Sequence, residues 1–329
     1  MQEAANEGGL YAGFCAIVGL PNVGKSTLIN KILGEHLAAV SAKPQTTRDR
    51  ILGIHRVERV ESAGGELAQS PQRSAQIAFV DTPGLQDGKG ALRRYMRDEA
   101  VAAAADCDVV LLVIDASDRS GRLPGRLRDD DASPIAAAVA RHPTVVALNK
   151  VDRVAKPDLL PLIEAWTAEL PGAEVVPISA ATGDGLVALT SAIARRLPVG
   201  PALFPDGMVT DRTQQFIARE IIREQLYHQL GKELPYACAV VVESWNERPS
   251  KGDVAVGAVI VVERESQKPI VVGRGGQRIR ELGIAARTAL GEALRRTVHL
   301  SLFVRVEEEW SQKDAGLRRL GYANDPQQA

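Results

Sequence analysis

Between Gly19 and Ser26 the chain reads Gly-Leu-Pro-Asn-Val-Gly-Lys-Ser, and residues of these types at this spacing suit one task, the holding of a polyphosphate. Gly19 and Gly24 let backbone N–H groups wrap phosphate oxygens, Lys25 reaches the β- and γ-phosphates, and Ser26 offers a hydroxyl to Mg²⁺. Pro21, Asn22 and Val23 complete the loop, and Thr27 stands in the first turn of the helix expected next, whose N-terminus adds positive potential. A glycine-rich turn with a solvated lysine would share this stretch but not its sequels. Asp81-Thr82-Pro83-Gly84, followed by Leu85, places a carboxylate for Mg²⁺ and a glycine N–H for a γ-phosphate. In Asn149-Lys150-Val151-Asp152, the Asp152 carboxylate can accept from both N1–H and the exocyclic amine of guanine, a donor pair that adenine lacks. Ser179-Ala180 then offers a backbone N–H to the guanine O6. The expected ligand is therefore GTP/GDP with Mg²⁺. The metal ligands are Ser26, Asp81 and a threonine of Ser41–Arg50. Spacing leaves Thr46 and Thr47 both open there and we favour Thr47, in a segment that would order around a γ-phosphate. Lys25, Asn22, Thr47 and Gly84 are the expected catalytic residues.

These residues need elements to hold them. Short β-branched runs at Phe14–Gly19, Gln76–Val80, Val109–Ile114, Thr144–Asn149 and Val175–Ser179 read as buried strands, and each motif sits at a strand end. Helical segments fall between them at Lys25–Leu33, Leu92–Ala105, Pro134–Arg141, Pro157–Leu170 and Gly185–Leu197. This alternation predicts an α/β fold with a doubly wound sheet. Two polar stretches, Glu61–Ala75 and Ser117–Ser133, interrupt it as surface insertions.

A second constellation follows a Pro-rich stretch, Leu197–Asp206, which reads as a linker. Gly273-Arg274-Gly275-Gly276 is a G-x-x-G loop, and the window Lys268–Arg296 around it carries seven basic residues against two acidic ones. The expected order is a helix over Asp211–Leu230, strands at Ala237–Glu243, Ala255–Glu265 and Pro269–Val272, helix over Gln277–Arg296, and a strand at Val298–Val306. An α+β module of the type II KH kind fits that order. In such modules the loop clamps the backbone of about four unpaired nucleotides, and an apolar groove holds their bases. Lys268, Gly273, Arg274, Gly275, Gly276, Arg278, Ile279 and Arg280 are the expected RNA contacts. The domain reading is a tail over 1–10, a GTPase domain over 11–198, a linker over 199–209 and a KH domain over 210–329.

With 329 residues the chain suits two domains, each able to bury its own core. Aromatic residues make up only 4%, so stacking platforms for bases cannot be abundant, which the KH mode of binding does not require. Net charge is −1, so the total says nothing about nucleic acid and the local window carries that argument. Cys15, Cys107 and Cys238 are few, odd in number and far apart, which predicts buried reduced thiols rather than disulfides or a zinc site. The acidic, polar start Met1–Gly9 does not read as a signal peptide, and no run approaches the ~20 apolar residues of a membrane span.

The sequence resembles the Era family, bacterial Ras-like GTPases with a C-terminal KH domain, from about Phe14 to Tyr322. The resemblance rests on Gly19–Ser26, Lys43-Pro-Gln-Thr-Thr-Arg48, Asp81–Gly84, Asn149–Asp152, Gly273–Arg287 and Leu317-Arg-Arg-Leu-Gly-Tyr322. It implies slow GTP hydrolysis coupled to binding near the 3′ end of 16S rRNA during small ribosomal subunit assembly. It also implies a cytoplasmic monomer, with peripheral association at the inner face of the cell membrane. Leu85 stands where Ras-like proteins have a water-orienting glutamine. In relatives with an apolar residue there, an asparagine at the place of Asn22 helps hold K⁺ against the phosphates. A second reading stays open, an RNA-binding assembly factor for which GTP is a conformational switch and hydrolysis is incidental.

Overall fold

The computed structural model describes residues 10–322 except 42, 44–45, 61–72, 84–89, 119–133, 232 and 249–251. Most of the two predicted insertions, together with Gly84 and Leu85, therefore lies outside the described residues. The chain divides into two compact units. One gathers Met1–Gly34, Arg50–Leu85 and Glu99–Asp211; the other gathers Glu35–Asp49, Gln86–Asp98 and Arg212–Ala329. Two short segments from within 11–198 thus group with the C-terminal unit.

The N-terminal unit is a six-stranded sheet in the order β2-β3-β1-β4-β5-β6. Its strands are β1 (Tyr11–Val18), β2 (Ile51–Val57), β3 (Ala75–Asp81), β4 (Val109–Asp115), β5 (Thr144–Asn149) and β6 (Glu174–Pro177). All neighbours run parallel except β2, which returns antiparallel beside β3. The unbroken apolar runs of β4 and β5 follow from burial on both sheet faces, where alternation would expose no polar side to water. Helices α1 (Lys25–Leu33), α2 (Ala91–Ala105), α3 (Pro134–Arg141), α4 (Lys156–Glu169) and α5 (Leu186–Ala194) come between and after the strands. Val18, Leu112, Val146, Leu148 and Trp166 are among the side chains of one core cluster. Glycine ends α1: Gly34 at φ 68° returns its N–H to Asn30 O at 3.0 Å.

The Pro-rich stretch is strapped to this sheet. Gln76, a buried amide in β3, accepts from the N–H groups of Leu203 and Phe204 at 2.7 and 2.9 Å and donates to Phe204 O at 2.8 Å. Ala12 N–H donates to Pro198 O and Ile54 N–H to Val209 O. Prolines that cannot donate to a ladder are thus held by a side chain and by the residues around them.

The C-terminal unit has the element order α6 (Gln214–Gln229), β7 (Cys238–Arg248), β8 (Asp253–Val262), α7 (Lys268–Val272), α8 (Gln277–Leu294), β9 (Thr297–Val306) and α9 (Asp314–Arg319). Its sheet runs β7-β8-β9, with β7/β8 antiparallel and β8/β9 parallel. A parallel neighbour needs a crossover, and α7, the Gly loop and α8 supply it. Ile221, Ile222, Val240, Ile260, Leu282 and Leu290 fill one core, while Ala239, Val259, Val261, Trp310, Leu317 and Tyr322 fill a second with Leu92 and Met96.

One expectation fails here. Pro269–Val272 is helical rather than a strand, so the G-x-x-G loop joins two helices and the sheet has three strands. Three β-branched residues in a row carry a strand signal, but a run this short cannot establish a period. Pro269 sits in the first helical turn, where its missing N–H costs nothing. Cys15, Cys107 and Cys238 are buried free thiols, and burial pushes Cys238 up to about 12. Among the described residues, no helix is long and apolar enough to cross a membrane.

Candidate functional site

In the N-terminal unit the loop between β1 and α1 is shaped by three residues at positive φ: Gly19 at 151°, Asn22 at 63° and Gly24 at 101°. A Cβ on Gly19 would lie 2.5 Å from Val113 O, and one on Gly24 would lie 2.4 Å from Asn149 Nδ2, so neither position admits a side chain. The exposed Asn22 is a residue type that tolerates the left-handed region. Lys25 folds back under the loop and donates to Gly19 O at 2.9 Å and Leu20 O at 3.0 Å. Lys25 is 7% exposed, and burial pushes its pKa from 10.5 down to about 8 against the pull of the Asp81 carboxylate.

Ser26 Oγ lies 3.0 Å from Asp81 Oδ2, so a hydroxyl and a carboxylate, both hard oxygen donors, meet at the end of β3. Thr82 Oγ1 donates to Ile17 O at 2.8 Å and fixes the turn after Asp81, and Pro83 is buried beside it. Pro21 and Thr27 are half-buried and Val23 is buried.

At the end of β5, Asn149 braces two loops. Its Nδ2 donates to Val23 O at 2.7 Å and its Oδ1 accepts from Ala180 N–H at 2.9 Å. Lys150, at φ 66°, spans from Asn22 O at 2.7 Å to Asp115 Oδ2 at 2.6 Å. Val151 is half-buried at the start of the short turn that carries Asp152, and Ser179 Oγ donates to Asp152 Oδ1 at 2.6 Å. In this structure the Ser179 N–H donates to Asp184 O, and the Ala180 N–H to Asn149. Ser179 also orients the Asp152 carboxylate through its hydroxyl. The sequence reading missed Asp115, which holds Lys150 and also accepts from Ser117 N–H and Oγ. An acidic residue closing the apolar strand β4 was the signal for it.

Thr46 and Thr47 belong to the C-terminal unit and are described there, apart from Ser26 and Asp81. Both are buried. Thr46 Oγ1 bonds Ser41 Oγ at 2.7 Å and Lys43 O at 2.9 Å.

The loop between α7 and α8 is nearly all backbone. Gly273, Gly275 and Gly276 have φ of 76°, 58° and 76°, and a Cβ on Gly273 would lie 2.7 Å from Arg278 Cβ. Arg274, Arg278, Arg280 and Lys268 are exposed around it, and Ile279 is half-buried. Arg278 reaches back to Ile270 O at 2.5 Å, which ties α8 to α7 across the loop. The N-terminus of α8 and exposed cations on both sides make a surface suited to a phosphodiester backbone.

Comparisons with known proteins match both parts of the chain. The family described as "50S ribosome-binding GTPase" matches residues 14–150, and the KH domain matches 233–311. GTPase Era of Geobacter metallireducens is 42% identical over 311 residues, covering 94% of this chain and 97% of that protein. GTPase Era of Pseudomonas aeruginosa is 42% identical over 320 residues, covering 96% of each. The chain belongs to the Era family of GTPases. Two Era structures share its fold. Aquifex aeolicus Era bound to GDP·AlF4⁻, a single-residue variant, is 34% identical with a TM-score of 0.82, covering 95% of this chain and all of that one. Era in complex with MgGDPNP and nucleotides 1506–1542 of 16S rRNA is 35% identical with a TM-score of 0.83, covering 96% and 100%.

Because Lys25 is held below its ordinary pKa, the folded state binds fewer protons than the unfolded one between about pH 8 and 10.5. Stability should therefore rise with pH across that window. In Lys25→Met the rise between about pH 7 and 11 should be smaller by roughly 3 kcal/mol. Denaturant titrations of both proteins along the pH series measure it, and parallel curves would refute the buried-ammonium assignment.

Proposed function

We propose that this chain binds and hydrolyses GTP with Mg²⁺ in its N-terminal unit and binds the 3′ end of 16S rRNA through its C-terminal unit. It would act in the cytoplasm in small ribosomal subunit assembly. The observation that carries the nucleotide half is the meeting of Lys25, Ser26 and Asp81 at one loop, with Asp152 held by Ser179 at the next strand ends. Ser26 and Asp81 supply hard oxygen atoms that fit Mg²⁺, which when bound neutralises charge developing between the β- and γ-phosphates. Lys25 brings a cation to the phosphates, and the loop N–H groups bind their oxygens. Asp152 selects guanine, and Asn149 keeps the base-reading and phosphate-reading loops in register. With leucine at 85, water orientation and charge compensation fall to other groups, among which we place Asn22 with K⁺. Either Thr47 or Thr46 completes the metal's ligands. Monomeric state and peripheral contact with the membrane's inner face complete the proposal, on the family resemblance.

Asp152→Asn should weaken GTP binding and favour xanthosine nucleotides, because an amide can donate to the xanthine O2 where the carboxylate accepted from guanine. Equal GTP affinity in a fluorescence titration would remove Asp152 as the base reader.

Turnover should be faster in K⁺ than in Na⁺ at equal ionic strength, with the difference shrinking in Asn22→Ala. Identical rates in the two salts would assign charge compensation to another group.

Changing Arg274 and Gly275 together to Asp should abolish binding of a single-stranded 16S 3′-end oligonucleotide, since two carboxylates would then face its phosphates. Aspartate tolerates the left-handed conformation of position 275, where no atom lies within 4 Å of an added Cβ, so the fold should survive. GTP affinity should stay within about threefold of wild type, because the loop belongs to the other unit. Undiminished RNA affinity would leave the basic window a solvated helix face.

A further inference from the structure

Segment 35–49, which joins α1 to β2 along the chain, shows no helix or strand among its described residues and is nevertheless built into the C-terminal unit. Its residues Lys43, Thr46 and Asp49 meet α6 in the opposite sense. Lys43 caps the end of α6 by donating to Tyr227 O and Leu230 O, Arg223 donates to Thr46 O, and Asp49 pairs with Arg219 at 2.6 Å. Asp49 also accepts from the Tyr95 hydroxyl at 3.0 Å, which brings the start of α2 to the same rail.

Arg48 lies deepest, 1% exposed. Its guanidinium donates to Cys238 O at 2.8 Å, Tyr236 O at 3.1 Å, Pro235 O and Tyr322 Oη at 3.2 Å, and Tyr227 Oη at 3.3 Å. The same group lies 5.6 Å from the Trp310 ring centre and 5.8 Å from that of Tyr322. Five acceptors in a planar fork define one position for this side chain, and a point-charge ammonium cannot satisfy them all. The backbone it fixes carries the two threonines that are candidates for the Mg²⁺ site. Its partners belong to a unit in which α6 packs against α8, and α8 starts at the G-x-x-G loop.

We propose that Arg48 is a positioning residue for GTP turnover: seated in the C-terminal unit, it makes the placement of the Thr46-Thr47 backbone depend on that unit, so RNA and nucleotide communicate through it. This inference rests on the nucleotide and RNA sites of the proposed function. A packing role alone would lower stability and both affinities together. A positioning role separates them, because GDP is held by Lys25, Ser26 and Asp152, and RNA by the Gly loop.

The test uses the full chain as Arg48→Lys, which keeps the charge and loses the fork, and as Tyr227→Phe with Tyr322→Phe, which removes two acceptors and keeps both rings. Affinities for GDP, for a non-hydrolysable GTP analogue and for a single-stranded 16S 3′-end oligonucleotide are titrated, each nucleotide with and without RNA, alongside turnover. GDP and RNA affinities should stay within about twofold of wild type in both variants. The factor by which RNA changes GTP-analogue affinity and turnover should fall to within about twofold of one. A wild-type factor retained in both variants overturns the proposal. So does a parallel loss of GDP and RNA affinity in both, or a factor of one in the wild type. Failure of the wild type to bind or hydrolyse GTP would instead overturn the proposed function.

Discussion

The carboxamide of Asn149 bridges the loop after β1 and the turn after β6, donating to Val23 O and accepting from Ala180 N–H. A parallel sheet sets its strand ends side by side, but loops leaving those ends are free to diverge unless something joins them. Asn149 does so with one donor and one acceptor, both buried, where each bond is costly to leave unmade. The brace constrains its neighbours. Gly24 must lack a Cβ because the amide nitrogen occupies that space, and with Gly24 in the left-handed region α1 starts immediately at Lys25. Lys150, the next residue, ties Asn22 to Asp115 and extends the brace to the end of β4.

Much of this was legible in the sequence, because strand ends and phosphate loops are written in short local patterns. Helices Lys25–Leu33 and Pro134–Arg141 and strand Thr144–Asn149 lie where periodicity put them. Their signals are local: a glycine after the last turn of α1, and an apolar run bounded by a polar motif in β5. The motif residues of the N-terminal unit came together because a doubly wound topology gathers strand ends at one rim. What escaped depends on contacts distant in sequence. Asp115 and Gln76 each look like one polar residue at or within an apolar strand, and their partners lie 35 and about 127 residues away. The extension of β7 to Arg248 carries no apolar signal, since its outer half is mostly exposed. A place just after a strand points to the backbone of Ser179, and the hydroxyl directed at Asp152 is visible only in three dimensions.

Segment 35–49 shows the same limit in another form. By composition it is a polar loop between a helix and a strand, and pattern reading assigns such a loop to the unit of its flanking elements. Packing assigns it elsewhere. Leu37, Ala38 and Ala39 are buried, and Val40, Lys43, Thr46, Arg48 and Asp49 meet α6 through polar bonds rather than a periodic apolar face. Bonds of that kind give a loop a defined path without secondary structure.

The scarcity of aromatic residues acquires a physical meaning at this place. Four of the five tyrosines, Tyr95, Tyr227, Tyr236 and Tyr322, together with Trp310, cluster in the C-terminal unit near Arg48. Trp310 and Tyr322 stack with centroids 5.8 Å apart, and each presents its π system to the guanidinium. A buried cation is usually paired with a carboxylate; this one donates only to carbonyls and phenol hydroxyls and rests on π faces. Such neutral partners are less sensitive to salt than an exposed ion pair, and each bond is directional, so the anchorage depends on geometry more than on ionic strength. Aromatic side chains committed to this core are not available as stacking platforms for bases. Recognition of RNA by this unit therefore draws less on these buried rings than on the Gly loop and the cations exposed around it.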